Sequence, residues 1–270
     1  MADAAAPVAG AGVFDSGLTT PDFAACLAMG LQPLRLAQGF YCGQMAAWSG
    51  YQAAILQRYP CAGHYDSNHA PPGWLAEHSM VDDAWHTAFD TALQRLRQEA
   101  EEVGAHGIVG VQVELGHPAH ENSTEVHLYG TAVRVAGAGA GPVWVTRIAG
   151  HKLAKLIEAG YVPDDVVYSR CTGISYEGCY PEHYGTNMVP AGSTFTPIEA
   201  VHRLARQRAL EEARRKTGPN ALYGVEIGVH EWEGGGERTY VSCHVLGNVV
   251  RRVRPTMPLA VPVTTMSLHD

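Results

Sequence analysis

The sequence predicts an α+β protein made of two tandem repeats, each a small antiparallel sheet packed on one long amphipathic helix. Two observations carry this prediction. A helix-turn-strand passage at residues 83–113 occurs again at residues 196–229, and residues 104–111 (GAHGIVGV) align without gaps on residues 218–225 (GPNALYGV). Self-similarity over such a length indicates a duplication, so we expect one core in each half of the chain.

The first long helix is predicted from a single apolar stripe. Its members recur at steps of four and three, which places them on one helix face. They are Phe89, Leu93, Leu96, Ala100 and Val103. Gly104 follows, where a left-handed C-cap suits glycine. The second long helix is predicted at 197–217, because Thr196 to Glu199 form a capping box with proline at the first helical position.

The other elements follow the same order in both halves. A short helix ends at Gly30 in the first half and at Gly160 in the second, and a strand follows each. The predicted strands of the first half are residues 34–42, 108–115 and 125–135, and those of the second are 166–171, 222–232 and 238–251. A long irregular crossover separates the first strand of each half from its long helix.

The chain therefore divides into two units joined by a linker. Residues 1–17 are expected to be a disordered leader, and residues 18–135 form the first unit. The stretch 136–142 (AGAGAGP) is small and flexible, which is typical of a linker. Residues 143–253 form the second unit, and residues 254–270 form an extended tail.

Composition excludes several classes of function. The net charge is -8, whereas a nucleic-acid partner needs clustered Lys and Arg. The sequence has no apolar run of about 18 residues, so no transmembrane helix is expected. The Ala-rich start lacks basic residues and does not resemble a signal peptide. We expect a cytoplasmic protein with reduced thiols.

The crossovers carry the sharpest polar pattern. Cys61 precedes His64 in the first, and Cys179 precedes His183 in the second, each within Cys-x(2 or 3)-His-Tyr-x-x-Asn. Thiolates and imidazoles suit zinc or copper. With the strand-end cysteines, the candidate metal ligands are Cys42, Cys61, His64, Cys171, Cys179 and His183. The alternatives are a pair of buried thiols with a His-Tyr pair that caps the loop, or a disulfide.

Other cysteines and histidines favour simpler interpretations. Cys26 and Cys243 lie in apolar surroundings and are interpreted as small core residues. His127 and His244 stand at equivalent places in the last strand of each half, where packing is the expected role. His117 and His120 are interpreted as solvated residues of a hairpin loop.

No nucleophile elbow, phosphate-binding loop or dinucleotide fingerprint is present in the sequence. We therefore expect a non-enzymatic oligomeric module that binds a heavy metal or small ligand. The first alternative is a structural ring-forming scaffold that recruits a protein partner. The second is a hydrolase that uses Cys61 or Cys179 with His64 or His183.

The signature RQEAEEVGAHGIVGVQVEL with the closing YGTAVRV resembles the YbjQ-like family, whose members are described as "putative heavy-metal-binding" proteins. The resemblance covers both units and is stronger in the first. It implies a compact α+β unit that assembles as a five-fold ring. Three strands on one helix leave one sheet face open, which another copy must cover. We therefore expect a homo-oligomer, most simply a pentamer with ten units.

Overall fold

A computed structural model describes residues 15–44, 76–77, 79–116, 123–139, 141–176, 197–234 and 238–253. These residues form four helices and eight strands. In chain order they are α1 (Thr20–Ala28), β1 (Leu31–Gln44), β2 (Ala76–Glu77), α2 (Ser79–Glu102), β3 (Gly107–Gly116), β4 (Ser123–Val135), β5 (Trp144–Val145), α3 (Gly150–Glu158), β6 (Tyr161–Tyr176), α4 (Pro197–Thr217), β7 (Ala221–Gly234) and β8 (Arg238–Arg252).

The strands form two four-stranded sheets. The first sheet has the order β1-β4-β3-β5 and the second has the order β2-β6-β8-β7. In each sheet a long first strand and a hairpin form an antiparallel core of three strands. The predicted α+β class, with two units of sheet and helix, is confirmed.

The two halves repeat each other in their irregular features as well. The register between β1 and β4 shifts after Pro33, and that between β6 and β8 shifts after Pro163. The hairpins carry matching irregularities, at which Gly110 and Gly224 have φ angles of 65° and 61°. Only glycine adopts such a backbone conformation readily, which explains why both copies hold glycine there.

Each half also gives one short strand to the sheet of the other. β2 precedes α2 in the chain, yet Ala76 pairs with Ile174 of β6 in the second sheet. β5 precedes α3, yet Trp144 pairs in parallel with Gly107 of β3 in the first sheet. The sequence did not predict these two-residue strands, because so short a segment has no periodicity. Through these two pairings each half hydrogen-bonds to the sheet of the other half.

The long helices agree closely with prediction. α4 has the predicted bounds, and α2 begins four residues before the expected start at residue 83. Leu93, Leu96 and Ala100 of the predicted stripe are buried, and so are Val201 and Ala205 of α4. Each of the long strands extends beyond its predicted segment at one end or both, because the turn residues at the ends also join the ladders.

The main layers stack in the order first sheet, α2, second sheet, α4. α2 approaches β1 so closely that a Cβ at Gly39 would overlap the carbonyl oxygen of Ala92. On its other side α2 contacts β6, where the Phe89 ring stacks on the Tyr168 ring. α4 packs on the second sheet through a narrower stripe that includes Val201, Ala205, Ala209 and Ala213. α2 thus lies between two sheets, whereas within the chain α4 packs on one.

Candidate functional site

The predicted metal ligands fall into two groups. Cys61, His64, Cys179 and His183 lie outside the described residues. Cys42 and Cys171 are described as free cysteines, the first exposed and the second partly buried.

Cys42 and Cys171 do not occupy equivalent positions. β1 and β6 have their register shift at the same place, which makes Gly43 equivalent to Gly173. Cys171 is therefore equivalent to Tyr41, and Cys42 is equivalent to Thr172. Successive side chains of a strand point to opposite faces. Tyr41 packs toward α2, so Cys42 faces away from that helix, whereas Cys171 packs in the cluster beneath α4.

Within the part of the chain that the structure describes, no three His, Cys, Asp or Glu side chains come together as a metal-binding group. His127 and His244 lie at equivalent positions, as the alignment of the closing strands predicted, but their surroundings differ. His127 lies 3.6 Å from the Glu114 carboxylate on an open face. His244 is partly buried, and burial lowers its pKa.

A buried polar cluster joins α2 to β6. The Asp82 carboxylate accepts hydrogen bonds from the Thr172 backbone N–H at 2.9 Å and from the Thr172 hydroxyl at 2.7 Å. The Arg170 Nε lies 3.6 Å from the same carboxylate. The Arg170 guanidinium also lies over the Trp85 ring, 4.7 Å from its centroid. A carboxylate and a guanidinium are thus buried as partners between the two halves.

Burial controls the protonation of this cluster. Desolvation raises the pKa of Asp82 to about 6, against the opposing effects of the Thr172 hydrogen bonds and the Arg170 charge. Burial also raises the pKa of Tyr168 to about 12. His86 accepts a hydrogen bond from the Arg170 backbone N–H at 3.0 Å, and burial lowers its pKa. The neutral imidazole that this bond requires is therefore favoured.

The cluster was not predicted from the sequence. Asp82 lies just before the start that the apolar stripe predicted for α2, and Arg170 lies in a strand with no charge pattern around it. Their pairing depends on how the helix of one half packs on the sheet of the other. The charged groups lie beside each other across the boundary, so the cluster is a junction between the halves.

A crevice of about 330 Å³ lies beside this junction. Its charged side chains have both signs, and they include Asp90, Arg97, Asp164, Asp165 and Lys216. Arg97 forms an ion pair with Asp165, and the Lys216 Nζ donates a hydrogen bond to the Tyr168 carbonyl at 3.0 Å. The opposite charges nearly balance, which leaves little net charge to attract an ionic ligand.

Two exposed surfaces are the remaining candidates. The first is the face of the first sheet that points away from α2, here called the outer face. It carries Phe40, Cys42, Glu114, His127 and Tyr129. The second is an apolar row on the edge strand β7, here called the β7 row. It consists of Tyr223, Val225, Ile227 and Val229, whose exposed fractions range from 38% to 51%.

Comparison with known proteins confirms the family resemblance over part of the chain. Residues 76–136, which contain β2, α2, β3 and β4, match the YbjQ-like family described as "Putative heavy-metal-binding". The chain is also 25% identical, over 249 residues, to an encapsulin nanocompartment protein of Mycobacterium tuberculosis. That alignment covers 88% of this chain and 86% of the relative. No solved structure matches the chain.

None of the helices in the described ranges has the length and apolarity required to span a bilayer.

Proposed function

We propose that this protein is a non-enzymatic module that assembles into a closed ring, in which the packing between its two halves is repeated between neighbouring chains. The observation that carries the proposal is the order of the layers, which leaves a helix at one end of the stack and a sheet face at the other. α2 of the first half is covered by the second sheet, whereas α4 and the outer face of the first sheet lie at the two ends of the stack. In a ring, α4 of one chain packs on the outer face of the next.

Equivalent residues support this assignment. Phe40 on the outer face is equivalent to Arg170 of the second sheet, and Tyr129 is equivalent to Leu246. Phe40 is 44% exposed, but Arg170 is 4% exposed and Leu246 is 6% exposed. The second-sheet residues are buried against Trp85 of α2 and within the core cluster that the two halves share. The outer face is thus equivalent to the face of the second sheet that α2 covers, but among the described residues it has no equivalent helix packed on it.

The β7 row supports the same arrangement. Its counterparts on β3 begin with Val109 and Val111, which are 0% and 2% exposed. Val109 packs in a cluster with Ile148 and Leu153, and Val111 packs in one with Tyr168. The second half therefore contributes to the cover over the β3 row. The first half of a neighbouring chain is the equivalent cover for the β7 row.

Charge favours this contact as well. The exposed positions of α4 include Arg203, Arg206 and Arg214. The outer face carries the carboxylate of Glu114, and Glu125 is paired with Cys42 on the same face. Opposite charges on the two surfaces fix the register of a head-to-tail contact.

A head-to-tail interface gives either a closed ring or an open filament. The resemblance to YbjQ-like proteins favours a five-fold ring, which here contains five chains and ten units. The relative named as an encapsulin nanocompartment protein is consistent with a protein that works in an assembly. A ring of this kind requires no catalytic group, and it offers a surface that recruits a protein partner.

The interface is tested by placing a charge in the β7 row. Tyr223→Asp should reduce the assembly to smaller species in sedimentation velocity, because its counterpart Val109 is buried in a cluster with the second half and a carboxylate at the equivalent place would be buried between chains. Ile157→Asp is the matched control. Ile157 is the equivalent of Leu27 in the first half. Leu27 is 52% exposed even though the first half already packs against the second, so we expect Ile157 to remain exposed in a ring. Unchanged sedimentation of Tyr223→Asp would place the interface elsewhere.

We further propose that the module binds a heavy metal, zinc or copper, through Cys and His residues of the crossovers. The family description and the donor types support this proposal. The ligand set is Cys42, Cys61 and His64 in one half and Cys171, Cys179 and His183 in the other. Elemental analysis of untagged protein should give zinc or copper in an amount that falls in Cys61→Ser and in Cys179→Ser. Equal metal in all three proteins would contradict this assignment.

A further inference from the structure

We propose that Cys171 and Cys243 form a two-sulfur site for a soft, two-coordinate cation, of which Cu(I) is the representative probe. The site deepens the metal-binding part of the proposed function and is independent of ring assembly. It shares only Cys171 with the crossover ligands, and it includes a residue that the sequence suggested was a simple core residue.

The two cysteines lie directly opposite each other on adjacent strands. Cys171 of β6 pairs with Cys243 of β8 in the antiparallel register, and directly opposed residues lie on the same face of a sheet. Both pack in the cluster beneath α4 with Ala205 and Ala209. Opposed side chains in such a pair have Cβ atoms about 4.5–5.5 Å apart.

This spacing suits a metal bound between two thiolates. A metal–sulfur bond of about 2.3 Å, as for zinc, gives a sulfur-to-sulfur span of about 4.6 Å when the metal lies on the line between them. Rotation about the Cα–Cβ bonds can set that span without a shift of either strand. Soft thiolate ligands select Cu(I), whereas a structural zinc ion takes four ligands. A site with two sulfurs therefore fits the soft cation better.

The duplication shows that packing alone does not require this pair. The equivalent positions in the first half hold Tyr41 and Val126, which also pair directly across β1 and β4. There an aromatic and an aliphatic side chain fill the space beneath the helix. In the second half both positions are cysteine. Two thiols thus face each other at a place where the fold accepts an ordinary apolar pair.

The pair is buried on one side and reachable from the other. Cys243 is fully buried, while Cys171 is only partly buried and provides the side from which the cation enters. Burial raises the pKa of Cys171 to about 12 and also raises the pKa of Cys243, and each thiol is therefore protonated in the free protein. Binding of Cu(I) releases one proton from each thiol. The resulting site carries a single negative charge; the positive charge of Arg206 acts on Cys243, and the negative charge of Asp82 acts on Cys171.

The site is tested in the full chain with Cys26, Cys42, Cys61 and Cys179 replaced by Ala or Ser, so that only the pair remains. Under anaerobic conditions, with a chromogenic chelator as competitor, this protein should bind one Cu(I) per chain. X-ray absorption should show two sulfur ligands. Replacing either remaining cysteine by Val, the residue that the first half holds at the position of Cys243, should weaken binding at least about 100-fold. No copper bound in competition, or equal affinity after either replacement, would overturn the site.

Two further measurements keep the test decisive. The single variants Cys171→Val and Cys243→Val in the natural sequence, with circular dichroism to verify folding, give the same comparison if the multiple variant does not fold. Cys61→Ser and Cys179→Ser should leave this copper in place, so the pair can hold even if the crossover assignment fails. Reduced protein that binds no Cu(I), but whose pair becomes a disulfide on mild oxidation, would contradict the proposal.

Discussion

The Phe89 ring of α2 stacks on the Tyr168 ring of β6, with 4.8 Å between centroids and 16° between planes. One residue belongs to the helix of the first half and the other to the sheet of the second. Both are almost fully buried, and they share a core cluster with Leu96 and Leu246. The two halves therefore fold around a common core, and α2 stabilises both.

Removal of the Phe89 ring should destabilise the whole protein. We expect Phe89→Ala to cost about 3 to 5 kcal/mol, and Leu96→Ala to cost about 2 to 5 kcal/mol, because each leaves a cavity in the shared core. Urea unfolding followed by circular dichroism measures both. Gln98→Ala, at an exposed position of the same helix, is the control. A loss below about 0.5 kcal/mol for Leu96→Ala would be incompatible with its complete burial.

Gly39 should not tolerate a side chain. A Cβ at this position would overlap the Ala92 carbonyl and lie 2.7 Å from the Leu96 backbone nitrogen. Both are backbone atoms that cannot rotate away, so Gly39→Ala should cost about 1 to 3 kcal/mol and lower Tm. Gly139→Ala, where nothing lies within 4 Å, should leave Tm nearly unchanged. Equal Tm values for both variants would show that α2 does not approach β1 this closely.

Asp82 should make stability depend on pH. Its pKa is raised to about 6 in the folded protein, above about 3.9 in the unfolded chain. The folded state then binds the proton more tightly, and this contribution is present below about pH 4 and is lost as pH rises through about 6. The loss is on the order of 2 to 3 kcal/mol, since each pKa unit corresponds to about 1.4 kcal/mol.

Asp82→Asn isolates that contribution. His86 has a lowered pKa, and its effect has the opposite sign, because stability is lost as the pH falls. The difference in unfolding free energy between wild type and Asp82→Asn, measured from pH 4 to pH 7, cancels the histidine effect. We expect this difference to change steadily across the window. Parallel curves would show that Asp82 titrates normally.

Much of the fold follows from local pattern. The stripe that contains Leu93 and Leu96 predicted α2, and glycines 104 and 218 marked the ends of both long helices with φ angles of 66° and 61°. The junction was not predicted, because Trp85 and Arg170 meet only when the helix of one half packs on the sheet of the other. The stripe describes one helix face, whereas α2 is buried on two.

The same reasoning explains the cysteine pair. Cys171 and Cys243 are far apart in the chain, and only the register of β6 with β8 places them opposite each other. A shift of one residue would have turned Cys171 to the other face. The sequence therefore suggested a candidate ligand at Cys171 and a core residue at Cys243, but not their pairing.

The molar mass of the assembly tests the central claim most directly. Multi-angle light scattering on the purified chain at micromolar concentration should give a value close to five times the chain mass of 29.0 kDa. That result would accord with the repetition of the α2 contact by α4 of a neighbouring chain. A single species with the mass of one chain would contradict it, because the outer face and the β7 row would then have no partner in solution.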